Sequence, residues 1–405
     1  MRAPLLISFV LLVSCSFLPR ECLGEQPRPV SLATHIQTQR QPAVDVKAIE
    51  RIRKIVLHQG ENPRALANLV QLTRDLDAET AAQLFSDIAD DYLRQGKYNQ
   101  GANFLQQLLN QHHAQRAARD GLLKLMRLYS SSEVNRTQQV NSSSADDQQG
   151  FCRYALHIAG DTLQKTTPLN NEPAVSFQRA VTARGANRSQ ISKSLLTRLK
   201  HDADAGPWRA CARVEQWLRE DRKTKPPKPV TICRRATGRP YLDGALIDPL
   251  WQSAEPMQLT YDDEFLYLAI RYPKIAGTAY ATDPRPRAHD ADLAAHDHVR
   301  LWLDLDRDYA TCFELAVDHR GWTADRCWYD TSWNPQWFVA SGGDDSTWIV
   351  EAAIPWEQLT DLPPQSGHAW AVAFERETPS ADPQIARFST TAVPPVKSFR
   401  ILLFE

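Results

Sequence analysis

A turn-rich stretch near the carboxyl end collects side chains suited to holding a sugar. Trp328, Tyr329, Trp333 and Trp337 surround Asp330-Thr331-Ser332 and Asn334-Pro335-Gln336. Saccharide recognition in water needs flat apolar rings for the C–H face of a pyranose and planar polar side chains for its hydroxyls. Trp333, with the least strand context around it, is the expected sugar-facing ring, and Trp328, Trp337, Asn334 and Gln336 are its expected neighbours. Arg376, closing a strand-like run, offers a forked pair of donors; an ion pair with Glu375 or Glu351 is the competing use.

Carboxylates form a second constellation. Asp297, Asp304, Asp306 and Asp308 lie close in sequence, and oxygen-rich loops of this kind suit Ca²⁺. The spacing Asp304-x-Asp306-x-Asp308 opens like an EF-hand loop, but Tyr309 stands where that loop needs glycine and Leu315 where it needs a bidentate glutamate. The EF-hand motif thus fails, and two readings of these aspartates stand: solvated turns and ion pairs with Arg300 and Arg307, or a structural calcium site. No cofactor is required by any motif. The G-x-S-x-G elbow, the H-E-x-x-H helix, the phosphate loop and the C-x-x-C-H haem motif are all missing from the sequence.

Five cysteines follow the amino-terminal region: Cys152, Cys211, Cys233, Cys312 and Cys327. A two-residue loop at His319-Arg320 sets Asp318 opposite Gly321 and Cys312 opposite Cys327, a register that permits a cross-strand disulfide. Two buried free thiols are the other reading.

These residues sit on short alternating runs. Met257 to Thr260, Phe265 to Tyr272, His298 to Asp304, Cys312 to Val317, Trp322 to Tyr329, Trp337 to Ser341, Trp348 to Ile354, Trp370 to Arg376 and Phe399 to Phe404 read as strands. Many short strands with turn signals between them argue a β-sandwich. The amino-terminal half is helical instead. Phe85, Ile88, Ala89, Tyr92, Gly96, Tyr98, Gly101, Leu105 and Leu108 have the spacing of a tetratricopeptide repeat, which this segment resembles. The predicted fold class is thus α + β and multidomain, an all-α helical-hairpin region followed by an antiparallel β-sandwich. Its expected parts are residues 44–129 (helical repeats), 130–149 (polar linker), 150–221 (helical region), 222–231 (Lys/Pro linker) and 232–405 (sandwich).

The carboxyl-terminal part also resembles the family 9 carbohydrate-binding modules. The resemblance rests on Ser346 to Leu359, a strand running into Pro355-Trp356-Glu357, together with Pro240 to Gly244 and Ile247 to Trp251, Thr260 to Ala269, Asp297 to Asp306, and Ala369 to Arg376. It implies a β-sandwich, non-catalytic saccharide binding and a structural calcium. The family's tryptophan before the last strand is replaced here by Phe388 to Pro395. Two functions follow: a carbohydrate-binding protein whose helices space it or hold another protein, or an adaptor in which the sandwich no longer binds sugar.

Arg2, the apolar run Leu5 to Val13 and the small residue Gly24 read as a signal peptide over residues 1–24, with a flexible leader over 25–43. Export to the periplasm or medium is expected; lipidation at Cys15 is the alternative. The formal net charge of −1 gives no electrostatic reason to expect nucleic acid as a partner, and no later run is long enough to cross a membrane.

Overall fold

A computed structural model describes residues 46–138, 145–220, 222–251, 253, 255–280, 285, 290–379 and 393–405. The expected signal peptide, leader and Cys15 lie outside the described residues, as does most of the Phe388 to Pro395 segment. No helix among the described residues is long and apolar enough to cross a membrane.

The helical region begins with α1 (Val46–His58), α2 (Arg64–Leu72), α3 (Ala78–Leu93) and α4 (Tyr98–His112). Asp77 caps α3 by accepting from the Thr80 amide at 2.9 Å, satisfying one of the amides that a helix start leaves unpaired. Gly96 turns the chain into α4 at φ +67°, a conformation other residues adopt at a cost. The close approach of α3 and α4 depends on Gly101, where an added Cβ would meet Leu93 Cδ2 at 2.7 Å. Tyr92 stacks on Phe104 across this hairpin, with ring centroids 5.3 Å apart.

Beyond it come α5 (Arg116–Ser130), α6 (Ser132–Gln138), α7 (Ala145–Lys165), α8 (Pro173–Gly185), α9 (Ser189–His201) and α10 (Pro207–Arg219). The stretch read as a polar linker is therefore helical at both ends. Its polar residues are tied down from afar, since the Ser132 amide donates to Asp306 at 2.9 Å and Glu133 is fully buried. Helix α8 has no sequence signal because it lacks an exposed face. Ala174 through Gln178 and Ala180 through Ala183 are all buried, so no 3.6-residue alternation marks it.

The sheet contains ten strands, β1 (Val230–Arg235), β2 (Met257–Tyr261), β3 (Phe265–Pro273), β4 (His298–Asp304), β5 (Phe313–Asp318), β6 (Thr323–Cys327), β7 (Phe338–Gly343), β8 (Thr347–Pro355), β9 (Ala369–Glu377) and β10 (Arg400–Phe404). Their order is β6-β5-β4-β9-β10-β1-β2-β3-β8-β7. The sheet is mixed, not antiparallel throughout, because β1 pairs in parallel with both β10 and β2. Residues Val230 and Thr231, assigned by sequence to the Lys/Pro linker, already belong to β1. Lys228, in the same stretch, is buried, and its Nζ donates to the Val396 and Phe399 carbonyls at 2.6 and 3.1 Å.

The sheet curls so that distant strands share a core. Leu266, Leu268 and Ile270 of β3 and Val350, Ala352 and Ile354 of β8 belong to one apolar cluster with Val299, Leu301 and Leu303 of β4 and Val372 of β9. Short helix α11 (Trp356–Leu359) follows β8, and Trp356 meets Trp370 edge-on at 6.0 Å. On the outer face, Trp302, Ala371 and Ala373 pack against Phe177, Leu196 and Cys211 of the helices. Helices and sheet are thus joined by a common apolar layer, with Val214 and Trp217 covering Ile401.

The β5–β6 hairpin corrects the cysteine register. Its loop has three residues, with Asp318 accepting from the Gly321 amide at 2.9 Å and donating to the Trp322 carbonyl at 3.0 Å. Gly321 supplies the positive φ of +81° that such a loop needs. One extra loop residue moves Phe313, not Cys312, opposite Cys327. Cys327 consequently packs in the interior with Phe313, Cys312 packs on the outer face with Tyr309 and Phe177, and both thiols are free and buried.

Candidate functional site

The expected ring surface is mostly interior. Trp328 and Trp337 are buried, at 2% and 5% exposure. Trp328 occupies a left-handed turn at φ +54°, and its amide donates to the Cys312 carbonyl at 2.9 Å. Trp333 is half-buried and stacks on Phe313 at 4.5 Å with 24° between the planes. One face of its indole is therefore taken by the core. Thr331, Ser332, Asn334 and Gln336 are exposed, and the Gln336 amide donates to Gln358 at 3.2 Å.

The same loop is where the helical region docks. Tyr98 donates to Asp330 Oδ2 at 3.0 Å, Thr331 donates through its amide and hydroxyl to the Arg94 carbonyl at 3.3 and 3.1 Å, and Lys124 lies 5.9 Å above the Tyr329 ring. Asp330, Thr331 and Tyr329 of this stretch join it to the helices.

Arg376 does use its fork, but on a different acid from those expected. Nε and Nη2 donate to Asp297 Oδ1 and Oδ2 at 2.9 and 2.5 Å, and the guanidinium lies 4.6 Å from the centre of the Tyr272 ring. Asp297 also accepts from Tyr280 at 2.6 Å and Trp348 Nε1 at 2.9 Å. These donors, with Arg376 foremost, hold its carboxyl below the usual range against the upward push of burial. Asp297 links β8 to β9 and lies apart from the cluster formed by Glu133, Asp304 and Asp306.

Asp304, Asp306 and Asp308 behave differently. Ligand oxygens of Asp304 and Asp306 converge with one from Glu133 of α6, all within 4.8 Å of one another. Burial, then Asp306 and Asp308, push the Glu133 carboxyl well above its usual range; burial, then Asp308 and Glu133, do the same to Asp304. Burial and Asp308 push Asp306 up to about 7. Asp308 spends one oxygen on the Ala310 and Thr311 amides, both at 2.7 Å. The oxygen-only donor set fits a hard cation such as Ca²⁺. Glu133, Asp304 and Asp306 would hold it. Close by, Glu215 accepts from Arg307 Nε at 2.8 Å and from Arg184.

Glu351, weighed above as an ion-pair partner, is consumed structurally. It accepts from the Asp243 and Gly244 amides at 3.1 and 2.7 Å and from Trp251 Nε1 at 2.8 Å. This joins the Asp243-Gly244, Trp251 and Glu351 segments that sequence reading had noted separately. Gly244 admits no side chain, since a Cβ there would lie 2.6 Å from the Ser341 carbonyl carbon.

An open cleft of about 480 Å³ lies where β1 separates from β2. The two strands pair only at Arg234–Thr260 and Arg235–Tyr261, so Met257, Gln258 and Leu259 have β3 alone as a strand partner. Trp251 and Phe374 line this cleft with Thr231, Arg234, Arg400 and Met257. Arg400 lies 5.5 Å from the Phe374 ring centre. Thr231 Oγ1 is buried without a hydrogen-bond partner among the described residues. Sequence reading missed Thr231, Arg234, Phe374 and Arg400, which come from three strands far apart in the chain. Their only local signal is an arginine two residues from the apolar Leu402 on the inward side of β10.

A second groove, about 420 Å³, lies on the outer face of β4, β5 and β6. Part of its charge is paired, with Arg300 between Glu314 and Glu377 at 3.5 and 3.2 Å and His298 Nε2 3.4 Å from Glu377, whereas burial and Asp290 push the Asp325 carboxyl up to about 7.

Neither a known protein-family model nor a curated protein sequence matches the chain.

Proposed function

We propose that this is an exported, non-catalytic saccharide-binding protein whose ligand occupies the cleft between β1 and β2. The observation carrying this reading is the cleft's lining, which combines the half-buried ring of Phe374 with the planar guanidinium groups of Arg234 and Arg400. Rings and forked donors are what a sugar's two kinds of surface require. The volume lies within the roughly 300–1,000 Å³ common for small-molecule sites. In this reading the curled sheet is a two-layer sandwich like that of the family 9 modules, its layers joined through β1. Trp328, Trp333 and Trp337 serve its packing.

The α3–α4 unit is read as one tetratricopeptide-like hairpin, and the protein held by the helical layer is the chain's own sheet. Glu133, Asp304 and Asp306 would hold a calcium ion that fastens α6 to the β4–β5 loop. Supplying charge to that buried joint is the chemistry the ion would contribute.

The adaptor reading draws on one specific observation, the burial of the Trp328 to Trp337 loop against the helices. Calorimetric titration of the full chain with mono- and oligosaccharides separates the two, using wild type, Phe374→Ala and Trp333→Ala. Saccharide binding that weakens in Phe374→Ala and persists in Trp333→Ala is expected. Silence across the whole panel supports the adaptor.

A further inference from the structure

We infer that the cleft selects an acidic saccharide, with Arg400 forked onto the sugar's carboxylate and Arg234 beside it. The inference rests on the saccharide reading above and specifies its ligand.

Arg400 is set up for an anion. Paired with Val372 across the sheet, it lies on the same side as Phe374, two residues further along β9. The guanidinium lies over the Phe374 ring, 5.5 Å from its centre, a contact that leaves its N–H groups to a planar acceptor. No carboxylate pairs with Arg400 among the described residues. Other arginines of the chain, Arg184, Arg307 and Arg376 among them, spend their guanidinium groups on acid side chains.

The rest of the lining points the same way. Arg234 is exposed, and its nearest acid, Glu405, is 4.0 Å away, at the outer limit of an ion pair. Arg235 is engaged with Asp263 at 2.5 Å. Against these cations the lining sets one acid, Glu255, which is exposed at the rim. The lining thus carries an excess of positive charge although the chain as a whole is near neutral. The buried Thr231 hydroxyl supplies a neutral hydrogen-bonding group for a ring hydroxyl. A pyranose carrying a carboxylate satisfies all of these groups together: its C–H face meets Phe374, its carboxylate takes the fork, and a hydroxyl reaches Thr231. A neutral sugar leaves Arg400 desolvated and without an anion, which is unfavourable.

The test is calorimetric titration of the full chain with a panel of uronic-acid trimers (galacturonate, glucuronate, mannuronate), their neutral hexose counterparts and acetate. Wild type is compared with Arg400→Gln and Arg400→Lys, each first shown to keep the wild-type melting temperature. The expected result has three parts: at least one uronate trimer binds tenfold or more tightly than its neutral counterpart, Arg400→Gln abolishes that preference, and Arg400→Lys retains part of it. Neutral trimers binding as tightly as acidic ones, or a preference that survives Arg400→Gln, overturns this inference while sparing saccharide binding. Acetate binding as tightly as the trimers overturns the sugar part of the assignment. Silence from every trimer overturns both.

Discussion

The Tyr98 hydroxyl donates to Asp330 Oδ2 at 3.0 Å, joining the first turn of α4 to the turn after β6 across 232 residues of sequence. It is a buried contact, and Asp330 Oδ1 simultaneously accepts from the Ser332 amide and hydroxyl at 2.8 and 2.6 Å. Burial, reinforced by the neighbouring Cys327 and Asp330, raises the Tyr98 phenol well above its ordinary value and keeps it a donor. The helices thereby hold the sheet's tryptophan-rich loop in place.

Tyr98→Phe is expected to cost about 1–3 kcal/mol, because the buried Asp330 loses a donor while the ring volume is kept. Gly96→Ala acts at the same contact. It forces a side chain into a positive-φ position where Cβ would lie 2.8 Å from Asp330 Oδ2, and should cost at least as much. Urea unfolding of each variant measures both, and wild-type midpoints would contradict the docking role.

The Glu133, Asp304 and Asp306 cluster makes calcium-free stability depend on pH. These carboxyls have folded values above their unfolded ones near 4, Asp306 reaching about 7. A raised acid stabilises the fold below its unfolded value, and that contribution is lost as pH rises toward the folded one. After chelation the melting temperature should fall by roughly 5 °C or more between about pH 5 and 7.5. Millimolar CaCl₂ should reverse the fall in wild type but not in Glu133→Gln. Equal melting with and without calcium at every pH excludes the ion.

Glu215 has the opposite sign. Burial pushes its carboxyl up, but Arg184 and Arg307 outweigh this and hold it at about 2. Its contribution is present above the unfolded value near 4.5 and is lost as pH falls toward 2. Glu215→Gln leaves two partly buried arginines short of an anion and should cost roughly 3–5 kcal/mol near neutral pH. A smaller loss at low pH than at neutral pH in a denaturation series checks the sign.

Trp328→Ala and Trp337→Ala should destabilise by roughly 3–5 kcal/mol, as expected for emptying an indole-sized space in a core. Asn334→Ala and Gln336→Ala should fall within about 0.5 kcal/mol of wild type. Thermal unfolding ranks the four, and a neutral Trp337→Ala would return the loop to consideration as a ligand surface.

Peptide mapping of alkylated, unreduced protein should recover Cys312 and Cys327 as separately labelled thiols. A linked peptide containing both would contradict the three-residue hairpin loop and the opposite faces it assigns them.

What could be read from sequence was whatever local pattern controls. Alternation marked the strands from β2 to β10, and the residues at Asp243-Gly244, Trp251 and Glu351 were singled out before their shared hydrogen bonds were visible. The turn glycine Gly96 and the close-contact glycine Gly101 were legible for the same reason. The failures had physical causes. Helix α8 is buried all round, β1 follows a proline-rich segment with only six residues, and a single loop residue decided the Cys312 register. The tryptophan loop looked exposed because its covering residues, Tyr98, Arg94 and Lys124, lie more than 200 positions away in sequence. Arg400 and Phe374 were overlooked because their adjacency exists only in the β9–β10 register.

Hydrogen–deuterium exchange of the full chain, with and without the tightest-binding saccharide, tests the location of the site most directly. The account predicts added protection over Val230 to Arg235, Met257 to Leu259 and the start of β10, with the Thr331 to Gln336 segment unchanged. Protection confined to Thr331 to Gln336, leaving the β1–β2 cleft as it was, would contradict it.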